Sequence, residues 1–288
     1  MSLVSFEHPR SEHVSFLQGL PGEVRTAAMV WERELIRFER NRTRILTGLV
    51  QPLLFLFVLG FGMASLVGST QGFDFKKFVF PGVVAMSVVS TAIFSAISIV
   101  WDREFGFLRE MLVAPVRRSS LVVGKTAGGA TVAAVQGTIM LVLAPLIGVH
   151  LTVAVVAEVI GVELLMAIAL TAFGVFVASR ISRIEGFQVV MQLVLLPMLF
   201  LSGTLFPLSG LPTWLDVLTR LNPLTYAVAP LRQVVYAAQA IPPAAAARFS
   251  AQITLFGWDL SIWAELGVVL VFFAVFFVLA VAGLSRRQ

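Results

Sequence analysis

No cysteine occurs among the 288 residues. That excludes disulfides, thiolate metal centres and cysteine nucleophiles. Histidine is nearly as scarce. His8, His13 and His150 make no i,i+4 pair with a second ligand on a helix, so neither a metal site nor a Ser–His–Asp grouping is expected. Charge is thin: 13% of residues are Asp, Glu, Lys or Arg, against about 25% in an average soluble domain. Residues 1–20 hold Glu7, His8, Arg10, Glu12 and His13 but no apolar run of signal-peptide length, so the N-terminus is expected to be retained. A GKT triplet at 124–126 lacks the glycine five positions upstream that a phosphate loop needs, because position 119 is Ser119. Neither nucleotide nor any other cofactor is expected on this chain. Close helix packing is the better use for Gly124 and Gly128.

What is present is apolar surface. Hydrophobic residues make up 58% of the chain, and the mean hydropathy is +0.92. A soluble fold of this length has too little interior to hide so much, so the composition reads as an integral membrane protein. A spanning helix needs about 20 mainly apolar residues. Six runs qualify: 45–67, 78–101, 121–148, 151–178, 187–206 and 260–284. A seventh apolar stretch, 223–241, is interrupted by Pro223, Pro230 and Arg232. It reads as a re-entrant or interfacial hairpin shielded by protein. The fold class is therefore an all-α polytopic membrane protein with six transmembrane helices.

Basic residues orient it. Sixteen Lys and Arg fall in the N-terminal segment, between spans two and three, after span four and at the C-terminus, against five on the other side. This bias places both termini and the 102–120 segment in the cytoplasm. The net charge of +5 then serves topology, and no nucleic-acid partner is expected. The Asn41-Arg-Thr43 sequon lies on the cytoplasmic side and is disregarded.

The expected organisation has four parts. Residues 1–22 are a flexible cytoplasmic N-terminus. Residues 23–44 are an amphipathic interfacial helix, with Val24, Ala28, Trp31, Leu35 and Phe38 on one stripe and Glu32, Arg33, Arg37, Arg40 and Arg44 mostly away from it. Residues 45–284 form the six-span domain. Within it, 102–112 is a short cytoplasmic helix whose apolar edge, Phe105, Leu108 and Leu112, packs either on the chain's own helix ends or on another protein. Residues 207–240 are an outer re-entrant hairpin, and 285–288 are a cytoplasmic tail.

Two carboxylates interrupt the fourth span. Glu158 lies near its outer end and Glu163 deeper, about 140° apart around the helix. An ionisable group at that depth costs ~2.5–3.5 kcal/mol on insertion scales. Glu163 is either a proton or cation site, or a protonated partner in a helix–helix hydrogen bond to Gln136 or Gln192.

Two segments carry a family resemblance. The first, DREFGFLREMLVAPVRRSSLVVGK at 102–125, has a charged, phenylalanine-containing turn, a proline, a basic pair and a Gly-Lys opening the third span. The second, LSGTLFPLSGLPTWLDVLTRLNPLTYAVAPLR at 201–232, has a Phe-Pro, a Leu-Pro, then Asn-Pro-Leu-Thr-Tyr and an arginine six residues after the tyrosine. In this order, in a chain with both termini inside, they resemble the membrane permease of type-2 (ABC-2) ABC transporters, bacterial exporters of drugs, lipids and polysaccharides. The similarity covers about residues 25–284. Thr204 departs from it, where the family commonly has a smaller or aliphatic residue.

The resemblance implies roles. Residues 102–110 become a coupling helix seated in a separate ATP-binding subunit. Phe105, Phe107 and Leu108 give apolar contact around Gly106, and Arg103, Glu104, Arg109 and Glu110 give ion pairs. Two such subunits carry ATP and Mg, and this chain has no ATPase site of its own. A second permease copy completes a dimer in a bacterial inner membrane. The path lies between spans two and five, with Ser87, Ser90, Thr91, Phe94, Met191, Leu195 and Met198 as lining candidates. Pro207, Pro223, Tyr226 and Arg232 belong to the outer hairpin. The rival readings are a proton-coupled carrier using Glu163 and a membrane scaffold or enzyme without transport.

Overall fold

The computed structural model describes residues 21–62, 75–106, 117–208, 210–239, 253–255 and 258–285. They form a helical bundle with one two-residue hairpin, Thr254–Leu255 against Trp258–Asp259. Helix α1 spans Gly22–Arg40. The chain breaks at Asn41 and restarts as α2, Arg42–Leu54, which runs through a π-helical turn at Phe55–Leu59. Pro52 inside α2 withholds one backbone donor just before that widened turn.

Helices α3 (Phe75–Ser95) and α4 (Ile97–Glu104) form one apolar rod of 30 residues. At 1.5 Å per residue it is ~45 Å long, beyond the ~30 Å hydrocarbon thickness, so a turn or more projects from the membrane. It is the central element: 78% of its apolar window is buried, against 17% for the spans at Ile45–Gly62 and Ile262–Leu284. Helix α5 (Arg118–Leu141) packs on α1, α3 and α6 (Val153–Arg180). Between α5 and α6 the chain turns through a 3₁₀ segment, Ala144–Ile147, and Gly148. Helix α7 (Ile184–Leu201) follows, then α8 (Thr213–Leu221), α9 (Pro223–Ala237) and α10 (Ile262–Ser285).

Among the described residues, five helical stretches are long and apolar enough to cross a membrane: Ile45–Gly62, Phe75–Glu104, Val153–Arg180, Ile184–Leu201 and Ile262–Leu284. Six were expected. The remaining run, 121–148, forms α5, which has the length but is diluted by Lys125, Gln136 and four glycines. Those glycines are spent on packing. A Cβ at Gly124 would meet Ala27 O at 2.6 Å, and one at Gly128 would meet Glu34 Cβ at 2.7 Å. Both therefore seat α1 directly on α5, as small residues do at close helix crossings.

Two expectations change. The 23–44 segment is not one helix, since 42–44 belong to α2. The face of α1 that is buried carries Thr26, Val30 and Glu34, while Trp31 on the apolar stripe stays exposed and donates to Thr131 Oγ1 at 3.1 Å. Pro230 does not interrupt α9, which is continuous and largely buried against α10, α6 and α3.

Candidate functional site

One end of the bundle gathers charge. The Lys125 ammonium is buried and donates to Glu34 Oε1 at 2.6 Å, Asp102 Oδ2 at 2.9 Å and Ser98 Oγ at 2.9 Å. All three ammonium protons are therefore used. Arg33 donates to Asp102 Oδ2 at 2.5 Å, and Arg37 lies 3.6 Å from Asp102 Oδ1 and 3.9 Å from Glu34 Oε1. The cluster pins α1, α4 and α5 together. Arg33 and Arg37, expected to lie mostly away from the apolar stripe, remain part-exposed and turn their guanidinium groups to Asp102. Asp102, Lys125 and Glu34 were not foreseen as one site. The signal was present in Arg33, Glu34 and Arg37 on one side of α1, with a lysine inside an apolar helix.

The two residues after Asp102 each address another element. Arg103 donates to the carbonyls of Ala178, Ser179 and Ile181, with distances of 3.2, 3.2 and 2.6 Å. These are carbonyls at the C-terminal end of α6, where a cation is favourable. Glu104 Oε2 accepts from Ile184 N at 3.0 Å, capping the start of α7. Arg103 and Glu104 thus already serve this chain's own helix ends. Phe105 follows, 63% exposed and 5.8 Å from the Trp101 ring. Gly106 takes φ +84°, a left-handed turn that suits glycine and ends the helix. Phe107, Leu108, Arg109 and Glu110 lie outside the described residues.

In mid-bundle a cavity of about 250 Å³ opens between α2, α3, α5 and α7. Ser90, Thr91, Phe94 and Leu195, four of the lining candidates, border it. Ser87, Met191 and Met198 do not: Ser87 and Met191 are fully buried, and Met198 packs on the core with its carbonyl bonded to Asn222. Thr47, Gly48, Gln51, Pro52, Gln136, Gln192, Leu196 and Leu199 complete the wall. The wall thus mixes amides and hydroxyls with Pro52, Phe94 and three leucines.

Glu158 is exposed near the start of α6, whereas Glu163 is fully buried. Both Glu163 carboxyl oxygens are without a hydrogen-bond partner among the described residues. Gln136, one expected partner, is aimed at the Ile45 carbonyl at 3.5 Å. The carboxyl sits against Gly137, where a Cβ would come 2.9 Å from it. Among the described residues no group of three His, Cys, Asp or Glu is arranged to hold a metal.

The 201–232 motif forms a clasp. Asn222 caps α9 at Leu224 N (3.1 Å) and donates to Met198 O (2.7 Å), while Pro223 takes the first helical position. Thr225 Oγ1 donates to Thr219 O at 2.7 Å, and Tyr226 hydroxyl to Arg220 O at 2.7 Å. The Arg232 guanidinium is buried, donates to Gly203 O, and lies 4.4 Å over the Phe78 ring. Pro207 is half-buried beside this turn. Arg232→Ala would strip the Gly203 carbonyl of a charged donor, a loss of about 1.5–3 kcal/mol that thermal unfolding in detergent would register.

Residues 27–236 match the ABC-2 type transporter family. A putative transport permease, ycf38, of Cyanophora paradoxa is 28% identical over 70% of this chain and 71% of its own length. Nodulation protein J of Rhizobium leguminosarum bv. trifolii is 29% identical over 75% of this chain and 83% of its own. The inner membrane transport permease YadH of Escherichia coli K12 is 27% identical over 70% and 80%. The family match covers well over half of the residues, so the chain belongs to the ABC-2 type transporters, as a multi-pass membrane permease of an ABC transporter.

Proposed function

We propose that this permease exports an amphipathic cargo, drug-like, lipid or glycan, by alternating access driven by a separate ATP-binding subunit. Two permease copies would enclose the path, and two ATP-binding subunits holding ATP and Mg would dock from the cytoplasm of a bacterial cell. The basic residues, sixteen against five, support an inner-membrane orientation with both termini and the charged end inside. On this reading α5 makes the sixth crossing, and 207–240 caps the outer end as a re-entrant hairpin. Residues 102–112 form the docking element.

One observation carries the coupling role. An exposed aromatic pair, Trp101 and Phe105, stands at the tip of the central rod, beside three residues bonded to α1, α5, α6 and the start of α7. A push on Phe105 is thereby delivered to four helices. ATP works only by favouring one arrangement over the other. The test is ATP hydrolysis by the purified complex in lipid. Aromatic anchors at interfaces are worth ~2 kcal/mol or more, so Phe105→Asp should weaken subunit association by ~30-fold or more. Unfolding should shift little, because the side chain is exposed. Unchanged association and hydrolysis would refute the coupling role.

A second reading has one observation in its favour, the unpartnered Glu163 carboxyl. In a proton-coupled carrier, Glu163→Gln abolishes transport. In the ATP-driven permease it leaves transport largely intact.

A further inference from the structure

The chain passes from α1 to α2 at an elbow, Arg40, Asn41 and Arg42, directly before the apolar span Ile45–Gly62. Between residues 37 and 46 the sequence carries four arginines and one acid, Glu39. Arg40 and Arg42 are exposed, and neither side chain bonds to a described residue. The neighbouring charged cluster has no counter-charge to lend. Its three cations, Arg33, Arg37 and Lys125, already outnumber its two carboxylates, Glu34 and Asp102. An apolar stripe runs on from the elbow. Arg42, Leu46, Val50 and Leu54 recur every four residues along one side of α2. The three apolar members are 65%, 51% and 57% exposed. At 1.5 Å per residue they cover ~12 Å, most of the ~15 Å depth of one leaflet.

Surplus positive charge above an exposed apolar stripe fits a molecule with a negative head and an apolar body. A cytoplasmic subunit would meet the arginines but not follow the stripe into the hydrocarbon. A second copy, related by a two-fold axis along this face, would set Arg40 and Arg42 against their own equivalents. A zwitterionic headgroup brings as much positive charge as negative. A phosphodiester with an uncharged head supplies the missing charge, and the planar guanidinium fork matches its free oxygens. Basic residues just cytoplasmic of a span draw anionic lipid in this way. We propose that the α1–α2 elbow binds an anionic phospholipid of the inner leaflet, with Arg40 and Arg42 on its phosphate and an acyl chain along Leu46, Val50 and Leu54. The lipid is a bound component and not the cargo, so the site stands or falls apart from the ATP-driven reading. Held there, it braces the joint between α2 and the helix that carries Glu34 into the buried cluster.

The test uses the full chain in nanodiscs of phosphatidylglycerol and phosphatidylethanolamine in equal parts, with identical acyl chains. Lipid that survives detergent extraction is counted by native mass spectrometry. Phosphatidylglycerol should be retained about tenfold over phosphatidylethanolamine. Arg40→Gln and Arg42→Gln should each lower that retention about fivefold, the usual worth of one basic residue at a lipid surface. Arg40→Lys and Arg42→Lys keep the charge and should lose less. Arg117→Gln is the control, since Arg117 is exposed but paired with Glu23 at 2.6 Å near the start of α1. It should leave retention unchanged. Unfolding midpoints should hardly move for any of these exposed positions. Equal retention of the two lipids, or glutamine variants that bind as before, overturns the proposal. So does an Arg117→Gln effect as large as the other two, which would mark diffuse surface charge and no site. Full displacement by free glycerol 3-phosphate overturns it as well, because the headgroup alone would then account for binding. A glutamine variant that dissolves a permease dimer while lipid retention holds has the same force, since the second copy would be what the arginines face.

Discussion

Lys125→Met is expected to destabilise the protein by about 3–5 kcal/mol, the cost of breaking a buried charge pair from one side. The ammonium is the centre of the charged end, bonded at once to Glu34, Asp102 and Ser98. Without it, two buried carboxylates of like charge face each other across the α1–α4 contact. Arg33 and Arg37 remain close to Asp102, which holds the loss toward the lower end of that range. The measurement is thermal unfolding in detergent, followed by tryptophan emission. Lys125→Arg should cost less but not nothing, since a planar fork replaces three divergent donors. Adding Glu34→Gln to Lys125→Met should recover part of the loss, because it removes one stranded charge, and the double-mutant cycle isolates that coupling. A loss below about 1 kcal/mol for Lys125→Met would show that the cluster is solvated rather than structural.

Gly82→Ala is the second large effect. A methyl at that position would overlap the carbonyl oxygen of Thr204, a backbone atom that no rotamer change can move aside. Overpacking of this kind costs about 1–3 kcal/mol, occasionally more. The residues that would have to shift, Gly203 and Thr204, are those that accept from Arg232. The damage therefore spreads from α3 to the α9 clasp. Gly161→Ala on α6 is the control. Nothing lies within 4 Å of its would-be Cβ, so it should be neutral, or stabilise by up to ~1 kcal/mol through helix propensity. Equal unfolding midpoints for the two variants would refute the close approach of α3 to the 203–204 turn.

Some of this was legible in the residues. The apolar run at 78–101 predicted the central rod because a hydrophobic stretch of that length has few other fates. Gly124 and Gly128 were read as packing residues, and α1 sits on them. The identity of α1's buried face was not legible. Glycine gaps in α5 admit Val30 and the stem of Glu34, and this geometry overrides the stronger apolar stripe through Trp31. Lys125 was read as a topology signal because a charge near a span's end ordinarily reaches water. Its three buried partners come from helices distant in sequence. Pro230 was taken as a break, but burial shields the backbone group it frees, so the helix continues through it. Thr204, the one departure from the family pattern, is fully buried with its hydroxyl against that of Ser202. A small polar residue there has a use that sequence comparison does not show.

Asp102, Arg103 and Glu104 have one further consequence. Consecutive residues on a helix point about 100° apart, so these three bonds radiate from one turn of the rod like spokes. Twisting the rod by even one residue position would misalign every spoke together. Sliding it along its axis would shorten some and stretch others. No single bond can be exchanged while the rest persist. Movement at this end is therefore expected to be switch-like rather than graded, two discrete settings of the whole hub with few stops between. A spin-label pair reporting the distance from α4 to α6 should then give two separated populations, not one distribution that drifts with nucleotide.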